Sequence, residues 1–396
     1  MAWSVLSTPD VSPLSSSVRS LLWLSLSLLS AAACAPPSDD VSGAPPSALT
    51  LTPALLPGAS AALTKDVSVG DTTIAVDDVS SFARGELALV IQIGGATIDA
   101  TDGPTYGAVL DGGDAGTFEL VRLTSVAPGA LGVAAGVRHA HHATAGVEVV
   151  RVPELADAVV PSNVSLAPPA WDGKHGGVFA ISVAGTLQLD GAIDASALGF
   201  RGGALENLSR LPGSTVFASA DAHDGAEKGE SIAGDATAYD RLGGRYGRGA
   251  PANAGGGGDA HNAGGGGGAN VGATLDWDGL GVPGDGDPWS LDPELSLPRA
   301  ADPSGGGRGG YTYSQYVHDA TMIPPGDPRW GGDDRRCVGG LGGHPLPFDL
   351  AQPRLFFGGG GGAGDENQQH GGRGGRGGGI VGVFAGRVVG AGVIRA

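Results

Sequence analysis

Residues 178–195, VFAISVAGTLQLDGAIDA, alternate: from Phe179 every second residue is Phe, Ile, Val, Gly, Leu, Leu, Gly, Ile and Ala, and the positions between are mostly small or polar. A period of two belongs to a β-strand with one face inward. At about 3.3 Å per residue a straight strand of this length would reach roughly 60 Å, several times the usual span, so it must turn, and Gly185 and Gly191 are the places. Short strands turned at glycines with one face always inward describe a coil of a β-solenoid. The last residues repeat the text: 380–396, IVGVFAGRVVGAGVIRA, align without a gap, setting Gly386 on Gly185, Gly392 on Gly191 and Ile394 on Ile193. Leu187, Leu189 and Ile193 are then expected inside, and Gln188, Asp190 and Asp194 outside.

Most of the glycine lies between the two copies, in runs at 255–258, 264–268, 305–307, 358–362 and 371–379, the last interrupted by Arg373 and Arg376. Glycine loses the most backbone entropy on ordering, so such runs are either flexible linkers or are held by backbone hydrogen bonds. Polyglycine-II-type helices with three residues per turn would satisfy the second case, because absent side chains allow neighbours to approach. The flanking apolar strands favour order.

A chain of 396 residues with 74 Gly, 27 Pro and 5% aromatic residues leaves little for one large core, and two small domains beside glycine-rich text are expected. Against 41 Asp and Glu stand 23 Lys and Arg, a net charge of −18, which disfavours nucleic acid or an anionic membrane surface as partner.

At the N-terminus, residues 21–33, LLWLSLSLLSAAA, form a 13-residue and mostly apolar run, too short to span a bilayer but suited to a signal peptide. The run ends at Cys34, and Ala31-Ala32-Ala33-Cys34 resembles a bacterial lipobox with Ala31 where Leu is usual; Cys34 is the expected lipidation site, with simple cleavage as the alternative. A start at Val18 would give a more compact signal. Ala35 after Cys34 points to the outer membrane or cell surface of a Gram-negative bacterium, reached through the lipid anchor. Residues 35–64 read as a disordered tether.

From Lys65 to about 157 the text turns β-like, with alternation at 72–76 and 87–93 and turns at Gly70-Asp71, Arg84-Gly85 and 111–113. A small antiparallel barrel or sandwich is expected, capping the first coil of the solenoid, which occupies 158–396. The cluster Arg138-His139-Ala140-His141-His142 lacks a fourth ligand for a closed zinc site and reads as a surface loop. Ile394-Arg395-Ala396 falls where Ile193-Asp194-Ala195 is followed by more glycine-rich text, so a product that stops early is expected.

Candidate chemistry is sparse. Asp190 and Asp194 share the outward face of one coil, as carboxylates do in β-helix enzymes acting on acidic polysaccharides, but as a solvated acidic face they need no catalytic role. Asp276, Asp278, Asp285 and Asp287 offer oxygens of the kind calcium takes, yet match neither an EF-hand nor the nonapeptide calcium repeat, so no metal or cofactor is assigned. Tyr311, Tyr313, Tyr316, Trp277, Trp289 and Trp330 could stack on sugars or fill an insertion. GGRGGRGGG is similar to RNA-binding arginine-glycine tracts, a reading the acidic balance opposes. P-loop, nucleophile-elbow and kinase motifs are absent.

The succession VGDTTIAVDDVSSFARGELALVIQI, VEVVRVPELADAVV, APPAWDGKHGGVFAISVAGTLQLDGAIDASALGFRGG, RLFFGGGGGAG and GGRGGRGGGIVGVFA resembles a family of glycine-rich bacterial surface proteins over residues 65–396. Its glycine half is also similar to the extracellular glycine-rich domain of the anaplastic lymphoma kinase and leukocyte tyrosine kinase receptors, which implies protein-ligand binding without any kinase. Taken together, these features lead us to expect an all-β, non-catalytic, surface-anchored structural or adhesive protein that contacts extracellular matrix, polysaccharide or a protein ligand. The alternatives are a receptor-like ligand-binding domain and a polysaccharide-acting β-helix enzyme.

Overall fold

The computed structural model describes residues 48–53, 59–205, 207–208, 216–259, 263–272, 279, 305–309, 339–347, 349, 351–366 and 370–396. Cys34, the four calcium-candidate aspartates (Asp276, Asp278, Asp285 and Asp287) and the six aromatic residues at 277, 289, 311, 313, 316 and 330 lie outside them. Regular structure is almost all β. The strands of the first half are β1 (Leu49–Thr50), β2 (Ser60–Ala62), β3 (Thr73–Ala75), β4 (Leu87–Gln92), β5 (Thr97–Ile98), β6 (Val109–Asp111), β7 (Phe118–Ala127), β8 (Ala130–Val133) and β9 (Val147–Val152). Then come β10 (Glu154–Leu155), β11 (Ala158–Val160), β12 (Ser165–Leu166), β13 (Val178–Leu189), β14 (Ala192–Asp194), the six-residue helix α1 (Ala236–Arg241), β15 (Ile380–Val389) and β16 (Val393–Arg395).

Six antiparallel strands in the order β2-β9-β4-β7-β8-β3 form one sheet. It closes on itself through the Leu63–Val76 bridge, with Thr64 N–H donating to Ala75 O at 2.9 Å and Asp77 N–H to Ala62 O at 3.1 Å. Closure removes the free edges. Ala88, Val90, Val121, Leu123, Leu131 and Val149 fill the interior. The opposite faces of β4 and β9, carrying Leu89, Ile91, Val150 and Val152, pack outward on Trp171, Phe200 and Phe357. Burial on both faces explains why LALVIQ lacks a polar side.

The second assembly is parallel. β1, β11, β13 and β15 lie side by side, and β12, β14 and β16 form a matching short sheet around the bend. Leu187, Leu189 and Ile193 are buried between these sheets with Leu51, Phe179, Ile181 and Val183, while Asp190 is exposed.

Two expectations are corrected here. The tether was expected to run from 35 to 64, but its described residues include β1, which covers the first coil with Leu51 fully buried, and β2 of the barrel. Two or three residues of alternation are too few to register as a pattern. The gapless match of the two coils is also off by one in its first half: Val178 to Val183 pair with Ile380 to Ala385, and the register shifts before Thr186 pairs with Arg387. The extra residue on β13 is a bulge at Ala184 and Gly185, where Gly185 N–H turns to Ala156 O at 2.7 Å. The chain leaves β13 and enters β14 through Asp190 and Gly191. A Cβ on Gly191 would strike Pro161 O and Val164 O, and one on Gly392 would strike Gly191 O, so both are glycine because the coils touch. A Cβ on Gly386 would lie 2.6 Å from Ala184 O, so the same constraint holds there.

The glycine runs pack as extended segments bonded to one another. Around 358–362 the N–H groups donate in rotation: Gly358 to Gly378 O (2.9 Å), Gly359 to Ala269 O (2.9 Å), Gly360 to Glu230 O (2.9 Å), then Gly361 to Gly375 O (2.8 Å), Gly362 to Gly266 O (2.8 Å) and Ala363 to Glu227 O (2.8 Å). Each partner segment recurs every third residue and runs in the opposite sense. The carbonyls are used as well, Gly360 O by Gly255 N–H and Ala363 O by Gly258 N–H, both at 2.9 Å. Such a segment is wound three residues to the turn and bonded outward on several sides, which requires neighbours closer than a Cβ permits.

That winding makes the glycines unequal. A Cβ on Gly374 would overlap Gly361 O, whereas one on Gly375 meets nothing within 4 Å. Gly374→Ala is therefore expected to cost about 1–3 kcal/mol or more by overpacking, and Gly375→Ala to stay within about 0.5 kcal/mol of the parent, in urea or thermal unfolding. Equal effects would contradict the packing.

Candidate functional site

Three-residue winding also decides which side chains share a face. Glu227 and Glu230 are one turn apart in the segment EKGE, and Arg373 and Arg376 are one turn apart in RGGR. Both pairs line one cleft of about 560 Å³, together with Arg201, Asp235 and Thr237. Asp235 caps α1, accepting from Thr237 N–H at 3.0 Å and Ala238 N–H at 3.1 Å.

The carboxylates in this cleft are committed. Glu230 accepts from Trp171 Nε1–H at 3.0 Å, from Arg201 N–H at 2.9 Å and from Arg201 Nε–H at 3.0 Å. Glu227 takes Arg245 at 2.6 and 2.9 Å and Ala204 N–H at 3.0 Å. Arg201 and Arg245 stay firmly charged, since their glutamates outweigh the burial that opposes the charge. Lys228, between the two glutamates, turns the other way. It is buried, donates to Tyr246 O and stands 4.8 Å over the Tyr106 ring, and burial pushes its amine down to about 7.

Arg376 is tied to uncharged partners: Nη2 donates to Trp171 O and to Gly199 O, and Nε to Ala197 O. Arg373 is exposed and makes no hydrogen bond or ion pair among the described residues. Both arginines also border a second cleft, of about 610 Å³, floored by the backbone of 264–268 and 358–364. A third, of about 380 Å³, is apolar and lies beside β15 between Phe118, Val183, Leu355 and Phe384.

Asp190 and Asp194 line none of these clefts. Asp190 accepts from Gln188 Nε2 at 2.9 Å; Asp194 is held below the ordinary carboxyl range by Ser196 and by Arg395, 3.3 Å away on the next coil. The histidine cluster is not a simple surface loop: His141 is fully buried with Nε2 at 3.3 Å from Glu119, while His142 faces Asp66 at 3.3 Å and Asp114 at 3.6 Å. His141 and His142 thus face different carboxylates, and no group of three His, Cys, Asp or Glu among the described residues is placed to hold a metal. No helix among them is long and apolar enough to cross a membrane. The cleft residues escaped the sequence reading because EKGE and RGGR carry meaning only once the winding is known.

The joint between barrel and coils holds a second ionisable cluster. Glu148 on β9 is fully buried and accepts from Gly176 N–H at 2.6 Å, two residues before β13; burial pushes its carboxyl up to about 8. Beside it Asp77, bonded to Lys174 at 2.6 Å and His175 at 3.0 Å, is lowered to about 2; these partners and Ala62 N–H outweigh the burial, the largest influence and an opposing one.

No family model matches the chain, and no curated protein matches it. Among solved structures, it is similar to the tailspike Gp54 of Acinetobacter baumannii bacteriophage AP22, described in complex with capsular saccharide, at 10% identity and a TM-score of 0.19 over 35% of this chain and 28% of that one. It is similar too to the tailspike gp49 of Pseudomonas phage LKA1, at 15% identity and a TM-score of 0.19 over 35% of this chain and 22% of that one. The aligned part spans about a quarter of each tailspike's length, and likeness at this level carries no argument about fold or activity.

Glu148 makes stability depend on pH. Folded, it keeps its proton to about pH 8; unfolded, it titrates near its ordinary 4.5. The folded state binds the extra proton in between, so this contribution to stability is whole below pH 4.5 and is lost as pH rises to about 8. Glu148→Gln, which stays neutral, is expected to shrink the drop in melting temperature between pH 5 and pH 8. An unchanged drop would contradict the assignment.

Proposed function

We propose that the chain is an exported binding module, displayed at the surface of a Gram-negative cell through a lipid on Cys34, that adheres to a partner through its glycine-rich face and does not catalyse. In this reading the parallel coils are a short β-solenoid and the glycine segments a polyglycine-II lattice, and the protein is related to glycine-rich bacterial surface proteins. Matrix, polysaccharide or a protein ligand would be the partner.

The observation that carries the proposal is the engagement of the carboxylates. Glu227 and Glu230 are each bonded to an arginine, and Asp194 is paired with Arg395, so these groups lack the free acid and base that hydrolysis or elimination on a sugar chain calls for. A lattice bonded along its backbone gives instead a firm, extended surface. Many anchored copies of such a surface raise effective concentration without a deep pocket.

The full chain is expected to show no turnover on polysaccharide or ATP panels, and its deletion to reduce adhesion of the cells that carry it. Turnover abolished by Glu230→Gln or Asp194→Asn would replace this reading with the enzymatic one.

A further inference from the structure

We propose that the cleft between residues 227–230 and 373–376 binds the carboxylates of an acidic polysaccharide, with Arg373 as the principal contact. This rests on the binding reading above and names the chemistry of its ligand.

The argument is one of charge pairing. In the cleft Arg201 is matched by Glu230, and Arg245 behind it by Glu227. Asp235 is spent on the first turn of α1 and on Arg201 at 3.5 Å. What remains is Arg373, without a partner, and Arg376, whose bonds go to neutral carbonyls and leave its charge unmatched by any carboxylate among the described residues. Two uncompensated guanidinium groups thus stand on one face of a chain whose net charge is −18. The built cluster is already internally satisfied, so an incoming anion displaces no protein carboxylate.

Geometry narrows the class. One turn at about 3.1 Å per residue sets the two arginine Cα atoms roughly 9 Å apart, a spacing for successive charges along an extended polymer rather than for one small ion. The planar guanidinium fork matches a carboxylate with two parallel hydrogen bonds. Among the described residues no aromatic ring lines the cleft, so they offer an uncharged sugar no stacking platform. The glycine backbone of the adjoining cleft, with Gly372 and Gly375 facing open space, lets a polymer pass close on the other side of the same arginines.

The test measures binding of the full chain, in mild detergent, to polygalacturonate, dextran sulfate, polyphosphate and neutral dextran at low and high salt. Polygalacturonate is expected to bind, more weakly as salt rises. Arg373→Ala should weaken it about tenfold, the loss of one charge-assisted bond, with unchanged melting temperature because the side chain holds nothing in place. Arg373→Lys should recover part of the loss, keeping the charge without the fork. Equal binding of dextran, binding of the sulfated or phosphate polymer alone, no binding to any of the four, or an Arg373→Ala variant that binds like the parent would each overturn the inference. In those cases adhesion by cells carrying the protein, without turnover, would leave the broader reading standing; turnover would remove that reading too.

Discussion

The structure depends on backbone hydrogen bonds between segments that have no side chains to separate them. In an ordinary domain apolar side chains fill the interior and the backbone is satisfied within helices and sheets. Here residues 358–363 are themselves the interior, and their N–H groups are shared among 372–378, 263–269 and 227–230. The entropy lost in ordering glycine is large, and the hydrogen bonds and close backbone contacts must offset it together. Side chains re-enter at the ends. Phe357, directly before the central run, stacks edge-on with Phe200 at 5.2 Å and tilts against Trp171 at 5.4 Å, so one aromatic cluster fixes the lattice to the barrel wall.

The lattice in turn organises charge. Extended segments wound in threes present every third side chain to one side, so a carboxylate pair and an arginine pair line one cleft although more than a hundred residues separate them in sequence. Of the polar groups that turn inward, Lys228 is met by Tyr246 and Tyr106, Glu119 by His141 and the N–H groups of Arg138 and His139, and Glu148 by Gly176. Buried ionisable groups without such partners would cost several kcal/mol each.

Legibility in the sequence followed the range of the interaction. Alternation in 178–195 placed Leu187, Leu189 and Ile193 inside and Gly191 at the bend, because a strand's two faces are a local property. The bulge beside Gly185 left no trace, since Ala184 and Gly185 suit either register and only the neighbouring coil decides. Strand β1 was hidden in text that looks like linker because its two residues are held by β11, not by any pattern of their own. The cleft was least legible. Glu227 and Glu230 drew no assignment from the sequence, and Arg373 and Arg376 read as interruptions of a glycine run, because their shared side depends on the pitch of the glycine between them.

Amide hydrogen exchange across residues 357–366 measures the central claim most directly. If the lattice stands, these amides exchange nearly as slowly as those of β4 and β13, at the rate of global opening. Exchange within seconds, with β4 and β13 still protected, would mean that the glycine runs are free linkers and would contradict the account.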